Sequence, residues 1–359
     1  MNKLRVGVVG GGIGREHIRA YQTLPDWFEV AAVCDSNADK AQAVAAEFGV
    51  SNTLTSFDAL CGLDDLDIID ICTPSYLHYE HSLQALAAGK HVICEKPVGS
   101  SLRQVDELAA AAARAGRHLM PIYQYRFGHG AQKLKRLVDA GVTGPAYLTT
   151  AETAWRRRMP YYDGTWRGKW DTELGGALVT LAIHAHDLIT YILGPVRSVF
   201  ARTLTAVNAI ETEDCVSASL QMADGSLVSL SVTTGSAREI SRHRFCFRNL
   251  TAESSLAPYS NTSDPWRFDA DSPEAQAQID AVLADFKPLP EQLAGQSLRF
   301  AQALAEGTDL PVTLHDAHVS LELITALYKS SATGQPVSLP IEPQDEWYAG
   351  WRQAAWAKL

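Results

Sequence analysis

At 359 residues the chain is too long for one ordinary core, and two domains are expected. With 46% hydrophobic and 20% charged residues its composition is that of a globular protein. A formal net charge of −10 speaks against a nucleic-acid partner, which would call for a basic face.

The first 120 residues alternate short apolar runs with helical patterns. Leu4–Val9 ends in glycines and is followed by an amphipathic helix to about Leu24. Phe28–Cys34 is a second strand, Ala38–Phe48 a helix closed by Gly49, and 68–72 a third strand. A helix over 76–88 ends where Gly89 supplies a C-terminal cap, and His91–Cys94 is the next strand. Ser101-Leu102-Arg103-Gln104 reads as a capping box opening an alanine-rich helix that closes at Gly116. Such alternation predicts a parallel sheet with helices on both faces.

Beyond residue 122 the texture changes. The alternation of Val216, Ala218, Leu220 and Met222, the turn Asp224-Gly225, and Val228, Leu230 and Val232 predict antiparallel strands with one packed face, joined by Phe245 and Phe247. The segment 252–290, rich in Ser, Asp and Pro, is expected to be loop-dominated, with helices near 297–306 and 316–330 after it. The apolar stretch 174–194 carries His184, His186 and Asp187, too costly at mid-bilayer, so it is expected to be a buried helix, with no membrane partner. The six cysteines form no C-x-x-C pair and the N-terminus lacks a signal-peptide pattern; a reduced, cytoplasmic protein is expected.

Gly10, Gly12 and Gly14 lie between the first strand and the first helix. There a dinucleotide pyrophosphate needs a turn free of side chains, aimed at a helix N-terminus. Asp35, 21 residues after Gly14 at the end of the second strand, suits the adenosine ribose hydroxyls. Its charge repels a 2′-phosphate and Ser36-Asn37 offers no arginine, so NAD is favoured over NADP. Glu95-Lys96-Pro97 directly follows a strand, which puts a lysine at the carboxyl end of the sheet, where ligands bind. Gly175-Gly176 leads into apolar sequence carrying His184. His184 and His186, two apart, cannot share a metal ion from one helix face, and no metal is expected. Tyr125, Arg126, Trp155, Arg156, Trp166 and Arg167 mix aromatic faces with donors, as a polyhydroxylated ring requires. The basic residues among them leave an anionic substrate such as a sugar acid open.

These segments resemble the Gfo/Idh/MocA oxidoreductases, which include inositol dehydrogenases and glucose–fructose oxidoreductases. The resemblance runs through Arg5–Gly10 to His17, Thr73-Pro74 with His78, and Ala88-Gly89-Lys90-His91-Val92-Ile93-Cys94-Glu95-Lys96-Pro97. It continues in Arg126-Phe127, Trp166-Arg167, Gly175-Gly176 to His184 and Asp187, 316–334 and Val337-Ser338-Leu339-Pro340. It implies an α/β fold: an N-terminal Rossmann domain (1–122), a doubly wound parallel sheet, and a C-terminal α+β domain (123–359) with a large open, mainly antiparallel sheet for substrate and oligomer contacts. A homodimer or homotetramer is therefore expected. The resemblance also implies that Lys96 and His184 are the catalytic pair, and that Ile13, Thr73, Pro74, His78 and Glu95 join the glycines, Asp35 and Lys96 at the cofactor. Substrate would meet Lys96, His184 and the Tyr125–Arg167 set. One departure stands out: the family's usual aspartate four residues before the histidine is Thr180 here, leaving Asp187 to orient the imidazole. The expected activity is NAD-dependent oxidation of a sugar, cyclitol, glycoside or sugar-acid hydroxyl. The alternatives are a keto-sugar reductase and a catalytically silent NAD-binding sensor.

Overall fold

The structure, a computed structural model, describes residues 3–351; the last part of the expected polar C-terminal tail, 352–359, lies outside them. The chain forms two compact units. The first runs to Tyr123 and takes up Leu293–His318; the second holds Gln124–Gln292 and resumes at Val319.

In the first unit the strands are β1 (Leu4–Val9), β2 (Phe28–Cys34), β3 (Thr53–Leu54), β4 (Ile68–Ile71), β5 (His91–Cys94) and β6 (Leu119–Pro121). They form one parallel sheet in the order β3-β2-β1-β4-β5-β6. The order reverses between β1 and β4, and the crevice at such a reversal is where open α/β sheets bind ligands. The short apolar runs read as strands because both faces of the sheet are covered; β4 is buried along its whole length. Asn37 and Ser101 cap their helices by accepting the Lys40 and Gln104 amides, and Gly49 and Gly116 end them at φ 70° and 60°. Residues 293–318, counted from sequence with the C-terminal part, pack here. The fully buried Gln296 accepts the Tyr123 amide at 3.1 Å and donates to the Pro121 carbonyl at 2.7 Å, closing the end of β6.

The second unit contains β7 (Ala146–Arg156), β8 (Val196–Leu204), β9 (Cys215–Met222), β10 (Leu227–Thr233), β11 (Gly235–Phe247), β12 (Leu250–Glu253), β13 (Arg267–Ala270) and β14 (Val337–Ser338). They form a mixed sheet, β13-β12-β11-β7-β10-β9-β8-β14, antiparallel except where β10 runs parallel to β7. Leu134, Leu137, Leu188 and Ile192 from the helices His129–Asp139 and Ile183–Leu193 pack on Phe245, Phe247 and Leu250. The other face of the sheet leaves Phe200, Leu204 and Leu227 exposed.

One expectation is refined and one corrected. Segment 252–290 is irregular over most of its length, as expected, but it also holds β13 and a helix that was not expected, Pro273–Leu283, whose cap Ser272 accepts the Ala275 amide and whose proline sits in the first turn. The stretch 174–194 is buried but is not one helix. Ala177–Thr180 and Ile183–Leu193 are separate, and the segments Trp170–Thr180 and Ile183–Leu193 meet at 49°. The Leu181 and Ala182 amides both turn back to the Ala177 carbonyl, at 3.2 and 2.9 Å, which closes the first helix. Among the described residues no single helix is long and apolar enough to cross a membrane.

Candidate active site

In the first unit the glycine turn sits at the end of β1. Gly10 has φ 101°, and a Cβ there would lie 2.3 Å from the Cys72 carbonyl oxygen, so only glycine fits. Gly12 faces open space, with nothing within 4 Å of an added Cβ. Gly14 opens the helix Gly14–Gln22, whose N-cap Ile13 makes no side-chain cap; that side chain is instead 45% exposed, an apolar surface beside uncapped amides. An uncapped helix start under an open glycine turn fits a pyrophosphate.

Asp35 joins this turn. Its Oδ2 accepts the Gly11 amide at 2.8 Å and its Oδ1 the Asn37 amide at 3.0 Å. Burial opposes its ionisation, but the Gly11 amide and the Lys40 ammonium outweigh that and hold the carboxyl below its ordinary value. Lys40, 2.9 Å from Oδ2, was not anticipated from sequence; it is Asp35 plus five, one turn into the next helix.

Thr73 and Pro74 follow β4, and Glu95 and Lys96 follow β5, so the structure gathers them at the same end of the sheet as the glycine turn. Lys96 is half-buried. Glu95 is buried, and its Oε2 accepts the Lys96 amide at 3.2 Å. His78 is only 1% exposed, and both its ring nitrogens face backbone carbonyls, Pro97 and Thr73, each at 2.7 Å. His17, which the resemblance reached without giving it a role, lies between the Asp70 and Glu95 carboxylates at 2.8 and 3.1 Å. Lys90, in the Ala88–Pro97 run, is structural: its ammonium donates to the Leu63 and Leu66 carbonyls.

In the second unit His184 lies in the first turn of Ile183–Leu193, 5% exposed, with its ring stacked on Tyr125 at 5.0 Å between centroids. Thr180 ends the preceding helix, and its hydroxyl donates to the Gly176 carbonyl at 2.9 Å. Glu213 holds this approach: its carboxylate accepts the Gly176 and Leu178 amides and the Tyr328 hydroxyl, each at 2.9 Å. Arg126 is buried and ion-paired with Asp187, the acid that sequence suggested for orienting His184.

The aromatic residues form a second group. Trp155 is buried, donates to the Ser241 hydroxyl at 3.0 Å and packs 4.7 Å from Tyr259. Arg157 lies over Trp155, Tyr161 and Tyr259, and Arg167 over Tyr161 and Trp166. Arg156, singled out from sequence, is exposed; its neighbour Arg157 is the one enclosed by rings.

A glycine turn at a Rossmann switch point, an acid at the second strand end and a lysine turn two strands away define a nicotinamide-dinucleotide oxidoreductase. The chain belongs to the Gfo/Idh/MocA family: residues 4–123 match its oxidoreductase domain with an NAD-binding Rossmann fold, and residues 131–248 its C-terminal domain. D-glucoside 3-dehydrogenase of Escherichia coli K12 is 29% identical, the match covering 94% of this chain and 97% of that one. The WlbA dehydrogenase of Bordetella pertussis, solved with NADH and UDP-GlcNAcA, is 28% identical with a TM-score of 0.83, over 95% of this chain and 100% of that one. A levoglucosan dehydrogenase solved with NADH, at 21% identity and a TM-score of 0.80 over 94% of this chain and 100% of that one, shares the fold. The protein is an oxidoreductase with an NAD-binding Rossmann domain.

Proposed function

We propose that the protein is a dehydrogenase that oxidises a ring hydroxyl of a glycoside, sugar, cyclitol or sugar acid, with Lys96 and His184 as the acid–base pair. The observation that carries this reading is His184 itself: a buried imidazole stacked on Tyr125, at the start of a helix entered through a glycine turn. Bound NAD supplies the hydride acceptor. An alcohol gives up hydride only as its hydroxyl loses a proton, and a neutral imidazole takes that proton near neutral pH. The Lys96 ammonium stabilises the developing alkoxide. Asp35 holds the adenosine ribose, and the turn at Gly10, Gly12 and Gly14 receives the pyrophosphate, with Ile13, Thr73 and Pro74 bordering the cofactor.

Trp155, Tyr161, Trp166 and Tyr259, with Arg157 and Arg167 against them, supply stacking faces and fixed donors for a polyhydroxylated ring. One relative matched over nearly its whole length is named for a glucoside, and the Bordetella relative was solved with UDP-GlcNAcA. Both support a glycoside or sugar-acid substrate. The exposed face of the second sheet supports a homo-oligomer. The test is NADH formation across inositols, aldoses, glycosides and sugar acids. Turnover with none of them, alongside normal NAD binding, would overturn the dehydrogenase reading; NADH consumption on keto-sugars alone would make it a reductase.

A further inference from the structure

The lysine turn after β5 is gripped on both sides by a buried histidine. Before it, His17 lies between Asp70 Oδ2 at 2.8 Å and Glu95 Oε1 at 3.1 Å. Asp70 is in turn held by the Tyr21 hydroxyl at 2.8 Å. Burial alone would lower the His17 pKa, but the Asp70 carboxylate raises it well above its ordinary value, so the ring is an imidazolium donating in both directions. Behind the turn, His78 links the Pro97 and Thr73 carbonyls at 2.7 Å each. Burial lowers the His78 pKa, so the ring is neutral and donates its single N–H to one of the two.

His17 and His78 are 2% and 1% exposed, so neither has a face to offer a ligand. One partner of each flanks Lys96: Glu95 for His17 and Pro97 for His78. His17 stands on the helix that begins at the glycine turn, and His78 opens the helix His78–Ala87 behind Thr73-Pro74. Through them the ends of β1, β4 and β5 are tied by hydrogen bonds independent of the sheet. We propose that His17 and His78 are positioning residues for Lys96: one fixes the Glu95 carboxylate, the other the Pro97 carbonyl, and the lysine between them is held in one direction.

The inference rests on the reading of Lys96 as the catalytic cation, and the experiment separates the two. The variants are His78→Leu, which removes the donor, His78→Gln, which restores amide donors, His17→Gln and Lys96→Met. Three quantities are measured: ADP-ribose affinity, which reports the adenosine half of the site; the acetylation rate of Lys96 by acetic anhydride, read by mass spectrometry; and kcat and KM on a substrate found in the panel above. In His78→Leu and His17→Gln, ADP-ribose affinity should stay within about twofold. Lys96 acetylation should change several-fold, and kcat should fall by about ten- to a hundredfold with KM little altered. His78→Gln should recover much of both. Unchanged Lys96 reactivity in His78→Leu and His17→Gln would overturn the proposal, as would loss of ADP-ribose binding in step with kcat, which marks general collapse. Parent-like turnover in Lys96→Met would instead overturn the catalytic reading of Lys96, with its altered reactivity in the histidine variants still standing.

Discussion

Asp187 receives the Arg126 guanidinium on both oxygens, Nε to Oδ2 at 2.7 Å and Nη2 to Oδ1 at 2.5 Å, with both side chains almost wholly buried. The pair ties the turn Gln124–Phe127, which carries Tyr125, to the helix that carries His184. Breaking one side of a buried pair leaves a charge without compensation. Asp187→Asn should therefore cost about 3–5 kcal/mol of stability in urea unfolding. A cost below about 1 kcal/mol, as for an exposed pair, would show that water reaches the charge.

NAD should bind about tenfold or more tightly than NADP, because the Asp35 carboxylate would face a 2′-phosphate. Lys40 is the natural limit on that ratio, being 2.9 Å from the same carboxylate. Asp35→Ser should narrow the preference and leave Lys40 to attract the phosphate. Titration of both cofactors against both proteins checks this; equal binding by the parent would place the ribose contact elsewhere.

Lys96→Met should keep the fold and NAD affinity while turnover drops by roughly two to four orders of magnitude. His184→Ala should likewise keep NAD affinity and lower turnover by roughly two to four orders of magnitude. Parent-like turnover in His184→Ala would assign the base to another group.

Much of the first unit was legible because its signals are local. The glycines after Leu4–Val9, Asn37 and Gly49 around one helix, and Ser101 and Gly116 around another, each act within a few residues. What was illegible depends on distant partners. β7 pairs with β10 and β11, far away in sequence, and Tyr147 and Leu148 are both exposed at its start, so no clean alternation marks it. The break at Leu181-Ala182 falls inside an apolar run with no Gly or Pro to announce it. Ser272-Pro273 was a readable helix start, hidden by composition that resembled a loop. At the site, glycines, Asp35 and Lys96 came from spacing, whereas the contacts among His17, Asp70 and Glu95 join residues 53 and 78 positions apart.

Glu213 should make stability depend on pH. Burial pushes its carboxyl up to about 7 from an ordinary 4.5, against the pull of the Leu178 and Gly176 amides and the Tyr328 hydroxyl. Folding therefore favours the protonated form. The stabilisation is full below the ordinary value and is lost as pH rises through about 7. The whole swing amounts to about 3 kcal/mol. Urea midpoints from pH 4 to 8 should fall more steeply for the parent than for Glu213→Gln; equal slopes would assign the dependence to other groups.

Gln296 has a consequence for modularity. The peptide groups it satisfies, at Pro121 and Tyr123, belong to the last strand of the nucleotide-binding sheet, yet it arrives from a helix that starts some 170 residues later in the chain. The sheet is thus finished by a segment encoded far downstream. A gene fragment ending at Tyr123 would lack that segment and expose the Tyr123 amide and Pro121 carbonyl at a raw strand end, where another chain can pair. Transplanting this cofactor module onto a different partner requires grafting Leu293–His318 along with it.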